Sequence, residues 1–168
     1  VLDALGDVDA RVLYVDDGSR DGSWAVMQWL AAQDPRVALL RLSRNFGKEA
    51  ALTAGLDQVT EGAAMILDAD AQDPPELIPQ FVAKWREGYE VVFAVRAERE
   101  GETAFKLWTA SLFYRVIYKI TDVKIPMDTG DFRLMDRRVV DVMNRMREHH
   151  RFLRGMSAWV GFKQVGVP

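Results

Sequence analysis

Short apolar runs alternate with longer amphipathic stretches along the first hundred residues of the chain. Uncharged apolar runs of this length are typical of buried strands, whereas apolar residues spaced three and four apart are typical of helices. The runs predict strands at residues 11–15, 37–42, 63–67 and 91–95. The spacing between them predicts helices that begin near Ser23 and Lys48, and a third over residues 77–85. This alternation indicates an α/β fold with a mostly parallel central sheet flanked by helices.

The alternation ends after Arg96. Apolar residues from Phe105 to Ile120 recur at helical spacing and predict one long helix, whose other face is partly basic. An ordinary core-packing helix and a helix lying on a membrane surface both fit this pattern. The remaining sequence predicts a short strand over 128–134, a helix over 137–146 and a last helical piece over 151–159.

The composition excludes several classes of protein and of metal site. With 168 residues, 49% of them hydrophobic and 28% charged, the chain suits one globular domain with a sizeable core. A net charge of −3 argues against a nucleic-acid binder, and the absence of cysteine excludes disulfides and thiolate metal sites. No apolar run approaches the roughly 18 residues that a membrane-spanning helix needs, so the chain of 168 residues is expected to be soluble.

The third predicted strand runs into the acidic segment Asp68-Ala69-Asp70-Ala71-Gln72-Asp73-Pro74-Pro75. The prolines end the strand because they have no backbone N–H to donate. Ligands bind at the carboxyl ends of strands in open α/β sheets, so Asp68 and Asp70 are expected in such a crevice. Their mutual repulsion favours a divalent cation between them. Mg²⁺ prefers oxygen ligands, and Gln72 offers a neutral third one.

Two other interpretations of this acidic segment deserve comparison. An EF-hand loop counted from Asp68 would need Gly at its sixth position and Glu at its twelfth, where Asp73 and Pro79 stand, so it is excluded. A turn in which Asp73 caps the next helix, with Pro74 in the first helical position, explains Asp73 alone. The metal site and the structural turn both stay open at this point.

Several other residues have the chemistry to bind a phosphorylated ligand. Asp16 and Asp17 follow the first strand, where they suit hydrogen bonds to a base or ribose, or else a capping turn. Lys48 begins a helix, where the peptide dipole favours an anion. Guanidinium groups can hold phosphate in a fork or form surface ion pairs. The candidate arginines are Arg96, Arg133, Arg151 and Arg154. The adjacent His149 and His150 fit a solvated pair better than a metal site.

Five motifs stand in an order that resembles a known family. They are Val15–Ser19, Leu42–Lys48, Leu67–Glu76, Gly130–Leu134 and Arg151–Gly155. In these motifs the chain resembles the family 2 glycosyltransferases. Among these it is most similar to the polyprenyl-phosphate glycosyltransferases, the relatives of dolichol-phosphate mannose synthase and the bactoprenol glucosyltransferases. The likeness runs over nearly the whole chain, and five motifs in order are far more specific than any one.

The resemblance implies a GT-A fold and an inverting enzyme that uses Mg²⁺ or Mn²⁺. The enzyme would move a sugar from a nucleotide sugar to a polyprenyl phosphate in a membrane. The donor would contact Asp16, Asp17, Lys48 and Asp68. The metal and the diphosphate would be held by Asp68, Asp70 and Gln72. The catalytic residues would be Asp131, which would face the transferred sugar or the acceptor, and Arg96 and Arg133, which would hold phosphates. Weaker candidates for the acceptor phosphate are Arg151 and Arg154.

Two departures from the family pattern concern the ends of the chain. The family begins with a nucleotide-binding strand, whereas Val1 stands where the following helix is expected. The family also has membrane helices after the catalytic domain. Residues 1–168 are therefore predicted to be a single GT-A catalytic domain that lacks its first strand and those helices. The full-length protein is expected at the cytoplasmic face of a membrane, with a homo-oligomer as one possible assembly.

The donor is predicted from the motif Gly130–Leu134, which resembles the bacterial glucosyl-type members, so UDP-glucose is expected ahead of other donors. A GT-A enzyme that uses GDP-mannose or a different acceptor stays an alternative. So does a nucleotide-sugar-binding module without catalysis. A phosphatase with Asp68 as its nucleophile is a further alternative, although Gln72 stands where that pattern wants Thr or Val.

Overall fold

The structure is a computed structural model that describes residues 5, 8–70, 72–95, 129–146, 148 and 151–168. Its strands are β1 (Val12–Asp16), β2 (Val37–Arg41), β3 (Ala63–Ile66), β4 (Val91–Val95), β5 (Thr129–Asp136) and β6 (Gln164–Val167). Its helices are α1 (Ser23–Gln33), α2 (Lys48–Leu56), α3 (Ile78–Arg86), α4 (Arg137–Arg145) and α5 (Leu153–Trp159). Apart from β6, these elements agree with the predicted ones to within a few residues. The predictions for Arg96, for the helix over 105–120 and for His149 and His150 lie outside the described residues.

The described strands form two hydrogen-bonded sheets rather than the single sheet predicted. β1 and β2 pair in parallel, while the larger sheet has the order β3-β5-β4-β6. Within it β4 and β6 are parallel, but β5 lies between β3 and β4 and runs antiparallel to both. The predicted alternation of strands and helices is therefore present, with one strand inserted in the opposite direction.

The hydrophobic core lies on both faces of the larger sheet. On one face Phe81 of α3 stacks on Phe132 of β5, with ring centroids 4.7 Å apart and neither side chain exposed. On the other face Met135 packs with residues of α4 and α5. Because side chains alternate along a strand, Asp131 and Arg133 share the face of Met135, which is the face that α5 covers. This alternation positions the polar residues of β5 beneath or beside α5.

Local features mark where the helices that pack on the four-stranded sheet begin and end. The Asp136 carboxylate accepts hydrogen bonds from Arg138 N at 2.9 Å and from Trp85 Nε1 at 2.8 Å, so it starts α4 and ties it to α3. Gly88 follows α3 with a φ of +93°, as the sequence predicts for a glycine after a helix C-terminus. A short 3₁₀ turn, Pro75–Leu77, precedes α3.

Asp73 does not cap that turn, so the helix-capping interpretation of this residue is wrong. The position before the turn is Pro74, and no side chain caps it. The Asp73 carboxylate instead accepts a hydrogen bond from the backbone nitrogen of Asp68 at 3.1 Å. This contact folds the acidic segment back on the end of β3, because a carboxylate satisfies a nearby N–H that the ended strand leaves unpaired.

The part of the molecule built on β1 and β2 is packed more loosely than the part built on the four-stranded sheet. Residues Val12 to Val15 of β1 are half-buried, and no residue of α1 is buried. Trp29 on α1 is 62% exposed. Of the helices that the structure describes, none combines the length and the apolar character needed to cross a lipid bilayer.

Candidate active site

The reversed direction of β5 brings two distant carboxylates together. In the antiparallel ladder Ile66 pairs with Arg133, so continuing the register by two residues brings Asp68 level with Asp131. Asp68 therefore follows the end of β3, and Asp131 lies near the start of β5, at the same edge of the sheet. The predicted donor-side and acceptor-side carboxylates become neighbours because of this strand pairing.

Lys48, the first residue of α2, bridges these two carboxylates. Its Nζ lies 2.6 Å from Asp68 Oδ2 and 2.6 Å from Asp131 Oδ2. Partial burial would lower the pKa of Lys48, but its hydrogen bonds to the two carboxylates outweigh burial and raise the pKa. The side chain is therefore a full positive charge at neutral pH and holds the two acidic groups together.

Asp131 has a second cationic partner in Arg154 of α5. Arg154 donates to Asp131 Oδ1 from Nε at 3.2 Å and from Nη2 at 2.9 Å. Burial would raise the pKa of Asp131, but the hydrogen bonds from Lys48 and Arg154 outweigh it and lower the pKa. Asp131 is consequently an ionised carboxylate between two cations.

Arg133 is buried beneath α5, with 4% of its surface exposed. Its guanidinium donates to the Ser157 hydroxyl, to the Gly130 carbonyl at 3.0 Å and, at 3.5 Å, to the Arg154 carbonyl. Burial lowers the pKa of Arg133 to about 10, which still leaves it protonated at neutral pH. These contacts hold α5 against β5, so a contact between Arg133 and a phosphate would require α5 to move.

Arg151 also uses its guanidinium within the protein. Its Nη2 donates to the Met143 carbonyl in the last turn of α4, while its Nε is buried without a hydrogen-bond partner among the described residues. Arg154 is about one-third exposed and already binds Asp131. Of the predicted arginines that the structure describes, Arg154 is thus the one whose guanidinium reaches both the site and solvent.

The acidic segment after β3 carries an excess of negative charge. Burial raises the pKa of Asp73, and the neighbouring carboxylates of Asp68 and Asp70 add to that rise. Asp70 accepts a hydrogen bond from the Gln72 backbone nitrogen at 3.1 Å. Within the described ranges, no three His, Cys, Asp or Glu side chains converge on a common metal position. The donor set of Asp68, Asp70 and Gln72 nevertheless fits Mg²⁺ or Mn²⁺, which usually take remaining ligands from water and substrate phosphates.

Asp16 and Asp17 organise the turn after β1. The buried Asp16 accepts a hydrogen bond from Ser19 N at 2.9 Å, and its Oδ2 lies 3.0 Å from Arg41 Nε, though without the alignment of a hydrogen bond. Hydrogen bonding from Ser19, first from its side chain and then from its backbone nitrogen, outweighs burial and lowers the pKa of Asp16. Asp17 accepts from the backbone nitrogens of Phe46 at 2.7 Å and Gly47 at 2.9 Å. The anion bound just before α2 is therefore Asp17 itself.

Gly18 allows the turn and this loop to touch. Its φ is +72°, and a Cβ at this position would lie 2.6 Å from the backbone nitrogen of Asn45. Beside this contact, at the carboxyl ends of β1 and β2, is a cleft of about 400 Å³. The cleft is lined by Gly18, Arg20, Arg41, Leu42, Ser43, Arg44 and Asn45. The loop that lines the cleft continues directly into Lys48.

Sequence reasoning missed two residues that hold this arrangement together. Glu49 accepts a hydrogen bond from Leu153 N at 3.1 Å and so anchors the start of α5 to the start of α2. Ser157 accepts from Arg133 and donates to the Arg154 carbonyl at 3.1 Å. No local pattern marks either residue, because their partners are distant in sequence or belong to a buried strand.

Comparison with known proteins shows the family. Residues 1–143 match the family described as Glycosyl transferase family 2. A Bacillus subtilis protein named "Uncharacterized glycosyltransferase YkcC" is 53% identical over 94% of this chain and 49% of its own length. The "Prophage bactoprenol glucosyl transferase homolog" of Escherichia coli is 41% identical over 96% of this chain and 53% of its own length. The chain thus spans about half the length of the curated relatives it matches.

A solved structure shows the fold. The mannosyltransferase PcManGT from Pyrobaculum calidifontis, in complex with GDP-Man and Mn²⁺, superimposes with a TM-score of 0.66 at 21% identity. The match covers 99% of this chain and 49% of that protein. The predicted α/β, GT-A fold is therefore confirmed, and the chain belongs to glycosyl transferase family 2.

Proposed function

We propose that the protein is a metal-dependent, inverting glycosyltransferase that moves glucose from UDP-glucose to a polyprenyl phosphate. The observation that carries this proposal is the cluster in which Lys48 and Arg154 hold Asp131 beside Asp68 at one sheet edge. Such an alternation of acidic and basic groups suits a metal, a diphosphate and an anionic acceptor in close proximity.

The relatives support the choice of sugar and acceptor. A protein named as a bactoprenol glucosyl transferase homolog shares 41% identity with this chain, which favours glucose and a polyprenyl phosphate. The solved mannosyltransferase with GDP-Man shares only 21% identity and supports the fold alone. A polyprenyl acceptor would place the whole protein at the cytoplasmic face of a membrane.

The acidic segment after β3 is the proposed metal site. Asp68, Asp70 and Gln72 would hold Mg²⁺ or Mn²⁺, which when bound supplies positive charge against the departing nucleoside diphosphate. The nucleoside would occupy the cleft beside β1, near Asp16 and the loop that Asp17 fixes. Lys48, at the end of that loop, would reach the diphosphate.

The acceptor supplies the nucleophile. A phosphate monoester has its second pKa near 6, so at neutral pH its oxygens are largely ionised and need no strong base. One of them would attack the anomeric carbon opposite the diphosphate, form the new carbon–oxygen bond and break the old one, which inverts that carbon. Because its pKa is lowered, Asp131 is a weak base, and we assign it to orienting a sugar hydroxyl.

The arginines divide into two roles in this proposal. Arg154 is partly exposed beside Asp131 and is the candidate for the acceptor phosphate. Arg133 and Arg151 bond to protein carbonyls and act as positioning residues for α5 and for the end of α4. The role proposed for Arg96 rests on the family resemblance.

Calorimetry of UDP binding in the presence of Mn²⁺ tests the metal site. Asp70→Ala should abolish the Mn²⁺-dependent part of UDP binding, because it removes one of two carboxylate ligands. Asp57→Ala, which removes an exposed carboxylate at the end of α2, is the matched control and should bind as the unaltered protein does. Equal affinities in Asp70→Ala and Asp57→Ala would contradict the metal assignment.

The donor and the reaction need separate measurements. UDP should bind more tightly than GDP, and tighter GDP binding would instead favour a mannosyl donor. Transfer of glucose to a short-chain polyprenyl phosphate should then be detected by mass spectrometry. Binding of UDP without any transfer would indicate a nucleotide-sugar-binding module.

A further inference from the structure

Lys48 is paired with Asp68, a carboxylate that is also a proposed ligand of the metal. Its ammonium contacts Asp68 Oδ2 at 2.6 Å, and within the described part of the chain it is the only basic side chain paired with Asp68. Asp131, by contrast, is also bound by Arg154. Asp68 thus depends on Lys48 for charge neutralisation, while Asp131 does not.

An ammonium and a divalent cation compete at such a carboxylate. Both are positive, so each weakens the binding of the other when they share one carboxylate, and a divalent cation held by Asp68 would bind that carboxylate directly. A donor diphosphate changes the balance because it brings its own negative charge to the site. The ammonium then has an alternative partner close to the position that it leaves.

The geometry around Lys48 permits this exchange. Both neighbours of Lys48 are held in place, because Gly47 N donates to the Asp17 carboxylate and the Glu49 side chain accepts from Leu153 N. The Lys48 side chain, however, is 50% exposed. A lysine carries a single ammonium on a flexible four-carbon chain, without the rigid two-pronged head group of arginine. The ammonium can therefore move between neighbouring anions while the start of α2 stays in place.

We propose that Lys48 is a displaceable internal cation of the donor site. Before the donor binds, its ammonium neutralises Asp68 and Asp131. When the donor and its divalent cation bind, the ammonium leaves Asp68 to the cation and contacts the diphosphate. Arg154 meanwhile keeps Asp131 charged and in place. Lys48 thereby disfavours binding of the metal alone and favours the metal together with a nucleoside diphosphate. This inference rests on the proposed function.

Two dissociation constants measured on the same variants test the exchange. The first is for Mn²⁺ alone, followed by water proton relaxation, and the second is for UDP at saturating Mn²⁺, followed by calorimetry. Lys48→Met should tighten Mn²⁺ alone by about five- to tenfold, since the competing charge is gone, and should weaken UDP by about tenfold. Lys48→Arg keeps the charge and should not tighten Mn²⁺. Lys84→Met removes an exposed lysine paired with Glu87 and should leave both constants unchanged.

The opposite signs of the two effects identify the exchange. If Lys48→Met weakens both Mn²⁺ and UDP, Lys48 is a structural bridge and the proposal is overturned. If Mn²⁺ is unchanged and only UDP weakens, Lys48 is an ordinary phosphate ligand, and if neither changes it has no role in the donor site; both results also overturn it. Failure of the metal site itself is distinguishable, because Mn²⁺ would then bind equally well to the unaltered protein and to Asp70→Ala.

Discussion

The described part of the molecule has a larger half, built on the four-stranded sheet, and a smaller half, built on β1 and β2. The two halves are packed in different ways. In the larger half, Phe81, Phe132 and Met135 are fully buried on the two faces of a four-stranded sheet. In the smaller half, β1 is half-buried and α1 buries none of its residues. Apolar burial therefore stabilises the larger half, whereas in the smaller one hydrogen bonds accepted by Asp16 and Asp17 fix the turn after β1 and the loop before α2.

The candidate active site lies where these halves meet. Lys48 belongs to α2, which packs on β1, and it reaches Asp68 and Asp131 of the larger half. The larger half thus supplies two carboxylates whose positions are fixed by strand pairing, and the smaller half supplies the loop before α2 and the lysine. Such a division suits a site in which the loop and the lysine can adjust to a ligand while Asp68 and Asp131 stay in place.

The largest expected difference between the halves is in core packing. Phe132→Ala should lower the free energy of unfolding by about 3–5 kcal/mol, because it leaves a cavity under Phe81. Leu13→Ala in the half-buried β1 should cost about 1–2 kcal/mol, since less of its surface leaves water on folding. Urea unfolding measures both. Equal costs would show that β1 is as tightly packed as β5.

A smaller effect is expected from the polar contacts of the first half. Asp17→Asn should lower the free energy of unfolding by about 1–2 kcal/mol. The amide offers one neutral acceptor in place of the two carboxylate oxygens that accept from Phe46 N and Gly47 N, so one of these bonds is lost. The same change should weaken UDP binding through the loosened loop. Asp57→Asn serves as the control, and a stable protein with normal UDP affinity would contradict this role of Asp17.

The smallest expected effect is the response of both halves to acid. The pKa values of Asp16 and Asp136 are lowered in the folded protein. Hydrogen bonds from Ser19, its side chain first, outweigh burial at Asp16, and bonds from Arg138 and Trp85 outweigh burial at Asp136. Each carboxylate therefore stabilises the fold above its unfolded pKa of about 3.9, and this contribution is lost as the pH falls through the folded value.

Urea unfolding at several pH values between about 5 and 2.5 measures this loss. Asp16→Asn and Asp136→Asn should each make the free energy of unfolding fall less steeply with decreasing pH than in the unaltered protein. A decline as steep in both variants as in the unaltered protein would show that other carboxylates govern the acid response.

Much of the fold could be predicted from where apolar runs stop. Pro74 and Pro75 close the segment after β3 because they have no backbone N–H, and Gly88 follows α3 because it tolerates a positive φ. The same local reasoning placed Asp68 and Asp16 at strand ends. The residue types at the candidate site were therefore available from sequence.

The contacts within the site could not be predicted in the same way. The meeting of Asp68 with Asp131 depends on β5 running antiparallel beside β3, and strand direction leaves no trace in an apolar run. Arg133 was expected at a phosphate, yet the alternation of Asp131, Arg133 and Met135 along β5 already indicates that these three share a face. What sequence did not show is that α5 covers that face and buries Arg133.

The close approach of Gly18 to the loop before α2 limits how this protein can vary over evolution. A Cβ there would collide with backbone atoms of Arg44 and Asn45, and the positive φ disfavours any side chain. Every missense change in a glycine codon adds a Cβ, so no single step away from Gly18 is neutral. Relatives of this protein are therefore expected to differ in the side chains that line the cleft while they share the backbone path of this turn.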